Sequence, residues 1–295
     1  MINAKTEAHI VSNLSEFPRL TDKTLGKLLV EAGKLRVEDV EVIVRYQREK
    51  GLRFGEAGIR LGLVQETDVL RMLARQFDYP CLQPGEHELS DELIAAYAPF
   101  GSRVEALRQL RSQLKLRWFG DKRNTLAVVG LNRGDGCSFI AANLAVVFSQ
   151  MGERTLLIDA NLRNPRQHQI FGLAHRQGLS DLLAGRCSTE VIIQIAELAD
   201  LDVLPAGPTP PNPQELLVRS SFKTLLRRMG QAYDVVLLDT PAGSLYADSQ
   251  LIAMETLAAL LIVRKHRSRI KDLEAVKKRL TEAGTEWVGA AFNDI

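Results

Sequence analysis

From Val104 onward the sequence alternates helical patterns with short runs that are apolar almost throughout: LAVVG, TLLID, LDVLPAG, DVVLLD, LAALLIV and WVGAAF. Runs of this kind, apolar at successive rather than alternate positions, suit strands covered on both faces. Strand runs separated by helical patterns predict an α/β fold, a parallel sheet with helices on both faces. Ligands on such sheets bind beyond the carboxyl ends of the strands, so residues that end the runs are the first candidates for function.

The first run passes through Gly130-Leu-Asn-Arg133-Gly134-Asp135-Gly136-Cys137-Ser138 into the helical stretch FIAANLAVVFSQ. Gly134 and Gly136 let the backbone turn its N–H groups toward an anion, and the helix start adds the positive end of its dipole. Residues Arg133, Gly134, Asp135, Gly136, Cys137, Ser138 and Phe139 are therefore the candidates for holding the phosphates of ATP, with Ser138 as a magnesium ligand. A phosphate loop of this type carries a lysine between its last glycine and the serine. Here that position is Cys137, which supplies no such charge. A glycine-rich turn alone is weak support for a ligand, but two further runs end in acids on the same side, Asp159 and Asp239. Carboxylates there can hold a hydrated magnesium or orient a nucleophile; the plainer alternative is that they cap helices or turns.

Several blocks then reach a family. GDGCSFIAANLA, LLIDANLRNPRQHQIFGL, GLSDLLAG, LPAGPTPPNPQELL and VVLLDTPAGSLYADSQLIA resemble bacterial tyrosine kinases of the EpsG-type chain-length determinant class, which act in exopolysaccharide synthesis. The resemblance implies a P-loop NTPase-type fold, Mg-ATP as cofactor, a transmembrane polysaccharide copolymerase as partner and phosphoryl transfer to protein tyrosine. It makes residues 134 to 138 a Walker A loop, Asp159 and Asn161 the Walker A′ pair, and Asp239 the start of Walker B. Glu105, Arg108 and Arg111 resemble the E-x-x-R-x-x-R pattern through which such kinases assemble homo-oligomers, and on a helix the three share one face.

Two departures bear on catalysis: Cys137 replaces the Walker A lysine, and Asn161 replaces the second Walker A′ aspartate. Arg133 or Arg163 is positioned in sequence to return positive charge to the phosphates, since arginine pairs well with phosphate oxygens. The tyrosines, at 46, 79, 97, 233 and 246, leave no acceptor-rich tail, so autophosphorylation there is not expected. A catalytically impaired scaffold for the membrane polysaccharide copolymerase, answering to a nucleotide or to cyclic di-GMP, is the alternative function. Chromosome-partition and division-site ATPases share the P-loop class but would need a second lysine near the loop start, where this chain has Asn132.

With 295 residues the chain exceeds an ordinary single domain. Shifted by 29 positions it matches itself between residues 24 and 76, with Gly26 against Gly55, Gly33 against Gly62, Val40 against Val69 and Gln47 against Gln76, so two copies of a small, mainly helical unit are expected. The copies Thr24 to Gln47 and Arg53 to Gln76 resemble the MshEN domain of type II secretion ATPases. That resemblance implies cyclic di-GMP as a ligand of Leu25, Gly26, Gln47, Arg53, Gly55 and Gln76, with Thr24 replacing an arginine that the second copy keeps. The expected organisation is a flexible terminus at 1–20, this tandem-repeat domain at 21–82, a Pro- and Gly-bearing linker at 83–102 and the P-loop domain at 103–295.

A net charge of +2 gives no ground for a nucleic-acid polymer as partner. Cys81, Cys137 and Cys187 lack zinc or disulfide spacing, which fits a reducing compartment, and the histidines show no metal spacing. The longest apolar stretch, Leu257 to Val263, is far too short to span a bilayer and no signal core opens the chain. The expected location is cytoplasmic, peripheral to the inner membrane through the partner. The basic run Arg264 to Arg269 offers contacts to anionic lipid, a partner or a nucleotide phosphate on an adjacent subunit, with a solvated loop as the plainer reading.

Overall fold

The fold is that of a computed structural model, which describes residues 22–76, 81–82, 85, 87–120, 123–174 and 176–294. The stretch expected to be flexible, 1–20, lies outside the described residues. The chain forms two compact units. They interleave in sequence: residues 96–105 belong with the first unit and 85–95 with the second, so the expected linker at 83–102 is divided between the two.

The first unit contains α1 (Asp22–Glu31), α2 (Val37–Lys50), α3 (Phe54–Arg60) and α4 (Glu66–Gln76). The turn after α1 recurs after α3, 29 residues on. Gly33 and Gly62 adopt φ of 66° and 69°, a left-handed conformation that lets the chain leave the helix without a Cβ clash. Their amides donate to Val30 and Ile59, and the amides of Lys34 and Leu63 donate to the carbonyls of Leu29 and Gly58. The core gathers Leu29, Ile43, Phe54, Ala57 and Val69.

Two glycines of the repeats, Gly26 and Gly55, sit against this core. A Cβ on Gly26 would stand 3.1 Å from the Phe54 ring, and one on Gly55 would stand 2.8 Å from Val69 Cγ1. Gln47 lies in the last turn of α2, where its carbonyl accepts the amide of Gly51. Gln76 ends α4, and the Arg53 amide donates to the Glu56 carboxylate at 3.0 Å. Gly55→Ala is expected to lower the thermal stability of this unit by ~1–3 kcal/mol through overpacking; an unchanged melting transition would show that Val69 yields freely.

The second unit is built on a seven-stranded sheet: β1 (Thr125–Gly130), β2 (Thr155–Asp159), β3 (Ile193–Gln194), β4 (Leu201–Leu204), β5 (Val235–Asp239), β6 (Ala258–Arg264) and β7 (Glu286–Asn293). Their order is β3-β4-β2-β5-β1-β6-β7. All pairs are parallel except β3 with β4. The helices are α5 (Ile94–Tyr97), α6 (Ser102–Arg117), α7 (Cys137–Ser149), α8 (Gln167–Ile170), α9 (Leu179–Leu183), α10 (Pro213–Leu217), α11 (Ser220–Ala232), α12 (Asp248–Thr256) and α13 (Ile270–Glu282). Of these, the second half of α5 and the first residues of α6 fall in a segment assigned to the first unit.

Residues alternate between faces along each strand. Ala127 and Val129 meet Phe222, Leu225 and Met229 of α11, Ile252 of α12 and Leu280 of α13 in one buried cluster. Leu126 and Val128 are equally buried, and α7, buried from Ile140 to Ser149, packs against β1, β2 and β5. Strands sandwiched in this way need apolar residues at successive positions, which is what the sequence supplies. Among the described residues no helix is long and apolar enough to cross a membrane.

Candidate nucleotide-binding site

β1, β2 and β5 are adjacent, with Asp159 directly beside Asp239 in the ladder register and the 131–136 loop leaving β1 next to them. Gly134 and Gly136 both lie in the left-handed region, at φ 85° and 86°, and α7 begins at the following residue, Cys137. A Cβ on Gly136 would overlap the Asn293 side-chain amide, so this glycine answers to close approach as well as to φ.

The loop is braced from strands far away in sequence. Asp135 is 1% exposed; its Oδ2 accepts the Asn132 amide at 2.8 Å and the Ser268 hydroxyl at 3.1 Å. Asn293 Nδ2 donates to the Asp135 carbonyl at 3.0 Å, and Arg264 Nη1 donates to the Gly134 carbonyl at 2.9 Å. Asp135 is therefore an internal strut of the loop rather than a ligand group facing outward.

Cys137 turns its thiol onto the Val128 carbonyl, Sγ to O 3.1 Å. Burial, and then the charge of Asp239, push this thiol well above its usual range, so it is a neutral group and not a reactive thiolate. Ser138 and Phe139, in the first turn of α7, are half-buried; Ser138 lies against Asp239 and draws its pKa down.

Asp159 and Asp239 are both fully buried. Asp159 is held by backbone amides: Asn161 donates to Oδ1 at 3.2 Å, and Arg166 and Gln167 donate to Oδ2 at 2.9 Å each. Burial first, and the charge of Asp239 second, push Asp159 up to about 8. Asp239 is also raised by burial, against the pull of Ser138 and Gln167. Gln167, fully buried, ties the two acids together: its backbone amide serves Asp159 while Nε2 donates to Asp239 Oδ2 at 2.8 Å and to the Ser138 carbonyl at 3.2 Å.

Two acceptor atoms at this point, Asp239 Oδ1 and Gln167 Oε1, are buried without a hydrogen-bond partner. Orphaned acceptors beside two crowded carboxylates fit a hard cation or its water shell. Among the described residues no group of three His, Cys, Asp or Glu side chains could hold a metal unaided.

Arg163, a candidate for reaching the phosphates, makes two hydrogen bonds to buried Asp248, at 2.7 and 3.1 Å, and stacks over Tyr246 with its guanidinium carbon 4.3 Å from the ring centre. Its charge is neutralised there. Arg133 is exposed on the loop. Of the helix α6 triad, Glu105 is exposed and Arg108 half-buried, while Arg111 donates to the Val147 carbonyl at 2.5 Å in the last turn of α7. Asn161 braces its own turn, accepting the Asn164 amide on Oδ1 at 3.1 Å.

Sequence reasoning missed Gln167, Ser268, Asn293 and Asp248, all long-range partners. One signal pointed to Asn293: like Asp159 and Asp239, it is a polar residue ending an apolar strand run.

The family model described as cellulose biosynthesis protein BcsQ matches residues 123–275. CapB of Staphylococcus aureus, which carries the name of a tyrosine-protein kinase, is 33% identical over 195 residues, 66% of this chain and 86% of its own length. Tyrosine-protein kinase ptk of Acinetobacter johnsonii is 35% identical over 192 residues, 65% of this chain, and the match spans only 26% of its length; other long relatives are likewise covered by no more than about a third. The solved kinase domain of Escherichia coli tyrosine kinase ETK superposes with a TM-score of 0.69 at 32% identity, covering 72% of this chain and 84% of that one. With the phosphate loop, the paired strand-end acids and these likenesses in agreement, the chain belongs to the family described as cellulose biosynthesis protein BcsQ and, with CapB, to the bacterial polysaccharide tyrosine kinases.

Proposed function

We propose that the α/β unit binds Mg-ATP at residues 134–138 and that the protein works in the cytoplasm, at the inner membrane, with a transmembrane polysaccharide copolymerase as a tyrosine-kinase-like regulator of exopolysaccharide chain length. The observation that carries this reading is the pair of buried, charge-crowded carboxylates, Asp159 and Asp239, joined by Gln167 beside a left-handed glycine loop at a helix start. The loop amides and the α7 dipole would receive the phosphates. Ser138 and Asp239, with Asp159 behind them, would hold hydrated magnesium, which supplies neutralisation of phosphate charge when bound. Asp159 makes its contribution by fixing the 161–167 turn, and through Gln167 it orients Asp239.

A second reading, a nucleotide-binding regulator with impaired chemistry, is favoured by one observation: the lysine position carries a neutral thiol turned inward onto a strand carbonyl.

Calorimetric titration of the purified protein with Mg-ATP tests the reading. Wild-type protein is expected to bind, and Asp239→Asn to bind about 10- to 100-fold more weakly, as for other metal-orienting groups. Absence of binding heat from protein that is folded by circular dichroism would sink the proposal. Phosphotyrosine on the cytoplasmic segment of the copolymerase, read by mass spectrometry, then separates the kinase from the regulator.

A further inference from the structure

The loop between β6 and α13 leans on the phosphate loop at several points. Arg264 donates to the Gly134 carbonyl, and Ser268 donates to the Asp135 carboxylate. Between them His266 takes φ 62°, a left-handed turn that non-glycine residues rarely adopt. The turn brings Arg267 back over the loop: its Nη1 lies 3.3 Å from where a Cβ on Gly134 would stand. Arg267 is exposed, and among the described residues no carboxylate forms an ion pair with it. Gly134 has no side chain to fill that space, so a guanidinium occupies it, adjacent to the backbone that would cradle phosphate.

We propose that Arg267 supplies in cis the positive charge that Cys137 does not, making it the phosphate-binding cation of this site. The inference rests on the nucleotide reading above. Arg163 is excluded from the role by its pairing with Asp248, and Arg264 is held in place by the loop carbonyl it already serves. An arginine suits the task because its five donors can reach phosphate oxygens from the side of the loop, where a lysine at position 137 would come from the helix start.

The test is binding of a fluorescent ATP analogue with magnesium to the full chain, followed by anisotropy. Arg267→Ala is expected to weaken binding about 10- to 100-fold, in keeping with loss of a charge-assisted hydrogen bond. Arg267→Lys should retain most of the affinity, and Lys271→Ala, which removes a nearby exposed charge, should change it less than about twofold if bulk charge is not the cause. Equal binding by wild type and Arg267→Ala would overturn the inference and leave the nucleotide reading standing. Binding seen only in Cys137→Lys would overturn it too, because the arginine would then replace nothing. If neither wild type nor Cys137→Lys binds, both the inference and the nucleotide reading fall.

Discussion

Cys137→Lys is expected to tighten Mg-ATP binding and to raise any phosphoryl transfer, by up to roughly a hundred- to a thousand-fold in an Arg267→Ala background where no other cation takes the lysine's place, and by less in the wild-type background. The wild-type thiol cannot substitute: it faces the Val128 carbonyl and stays protonated. Residue 137 opens α7 and is partly exposed even though its thiol is buried, so a longer side chain has a route out of the interior that spares burying an ammonium beside β1. Affinity and rate should be measured together with phosphotyrosine on the partner segment. A large gain in both identifies the native protein as a kinase with attenuated chemistry, whereas a gain in affinity alone leaves a nucleotide-gated regulator. No gain in either would mean that position 137 does not face the phosphates or that Arg267 already fills the lysine's role.

The second large effect concerns pH. Asp159 is raised to about 8 by burial and by Asp239, so the nucleotide-free folded protein keeps a proton that the unfolded chain releases above about pH 4. The resulting stabilisation is complete below the unfolded value and is lost as pH rises through the folded one. Between those limits stability should fall by at most about 1.4 kcal/mol per pH unit for each such proton, on the order of 4 kcal/mol from pH 5 to 8. Urea unfolding at intervals across that range should show the decline in wild type and a flatter course in Asp159→Asn. Magnesium should flatten the wild-type curve as well, since a bound cation replaces the proton. Matching slopes in wild type and Asp159→Asn would remove Asp159 as the source.

The central strands and the two strand-end acids were legible because they are local: β5 is apolar at every position before its aspartate, β2 at every position between Thr155 and its aspartate, and no partner is needed to see that. Helix α6, Ser102–Arg117, was legible for the same reason, since the helical patterns of this part of the chain start at Val104. The antiparallel edge strand β3 has only Ile193 and Gln194, too short for any period to show. The closure of the phosphate loop was hidden for another reason. It depends on Ser268 and Asn293, whose meeting with Asp135 is decided by strand order and not by neighbours in the chain. Arg163 illustrates the converse: beside a phosphate site in sequence, it is claimed by Asp248, 85 residues away.

The bond from Asn293 to the Asp135 carbonyl joins residues 158 positions apart, across a sheet whose edge, β7, pairs only with β6. Contacts of such long separation form late, after the intervening chain has condensed, because loop closure must precede any return from them. The glycine loop therefore reaches its final shape only when the last strand has docked. A folding intermediate with a good hydrophobic centre and an undocked β7 would have its acids in place yet lack a firm cradle, so nucleotide competence marks the completion of the sheet rather than its beginning.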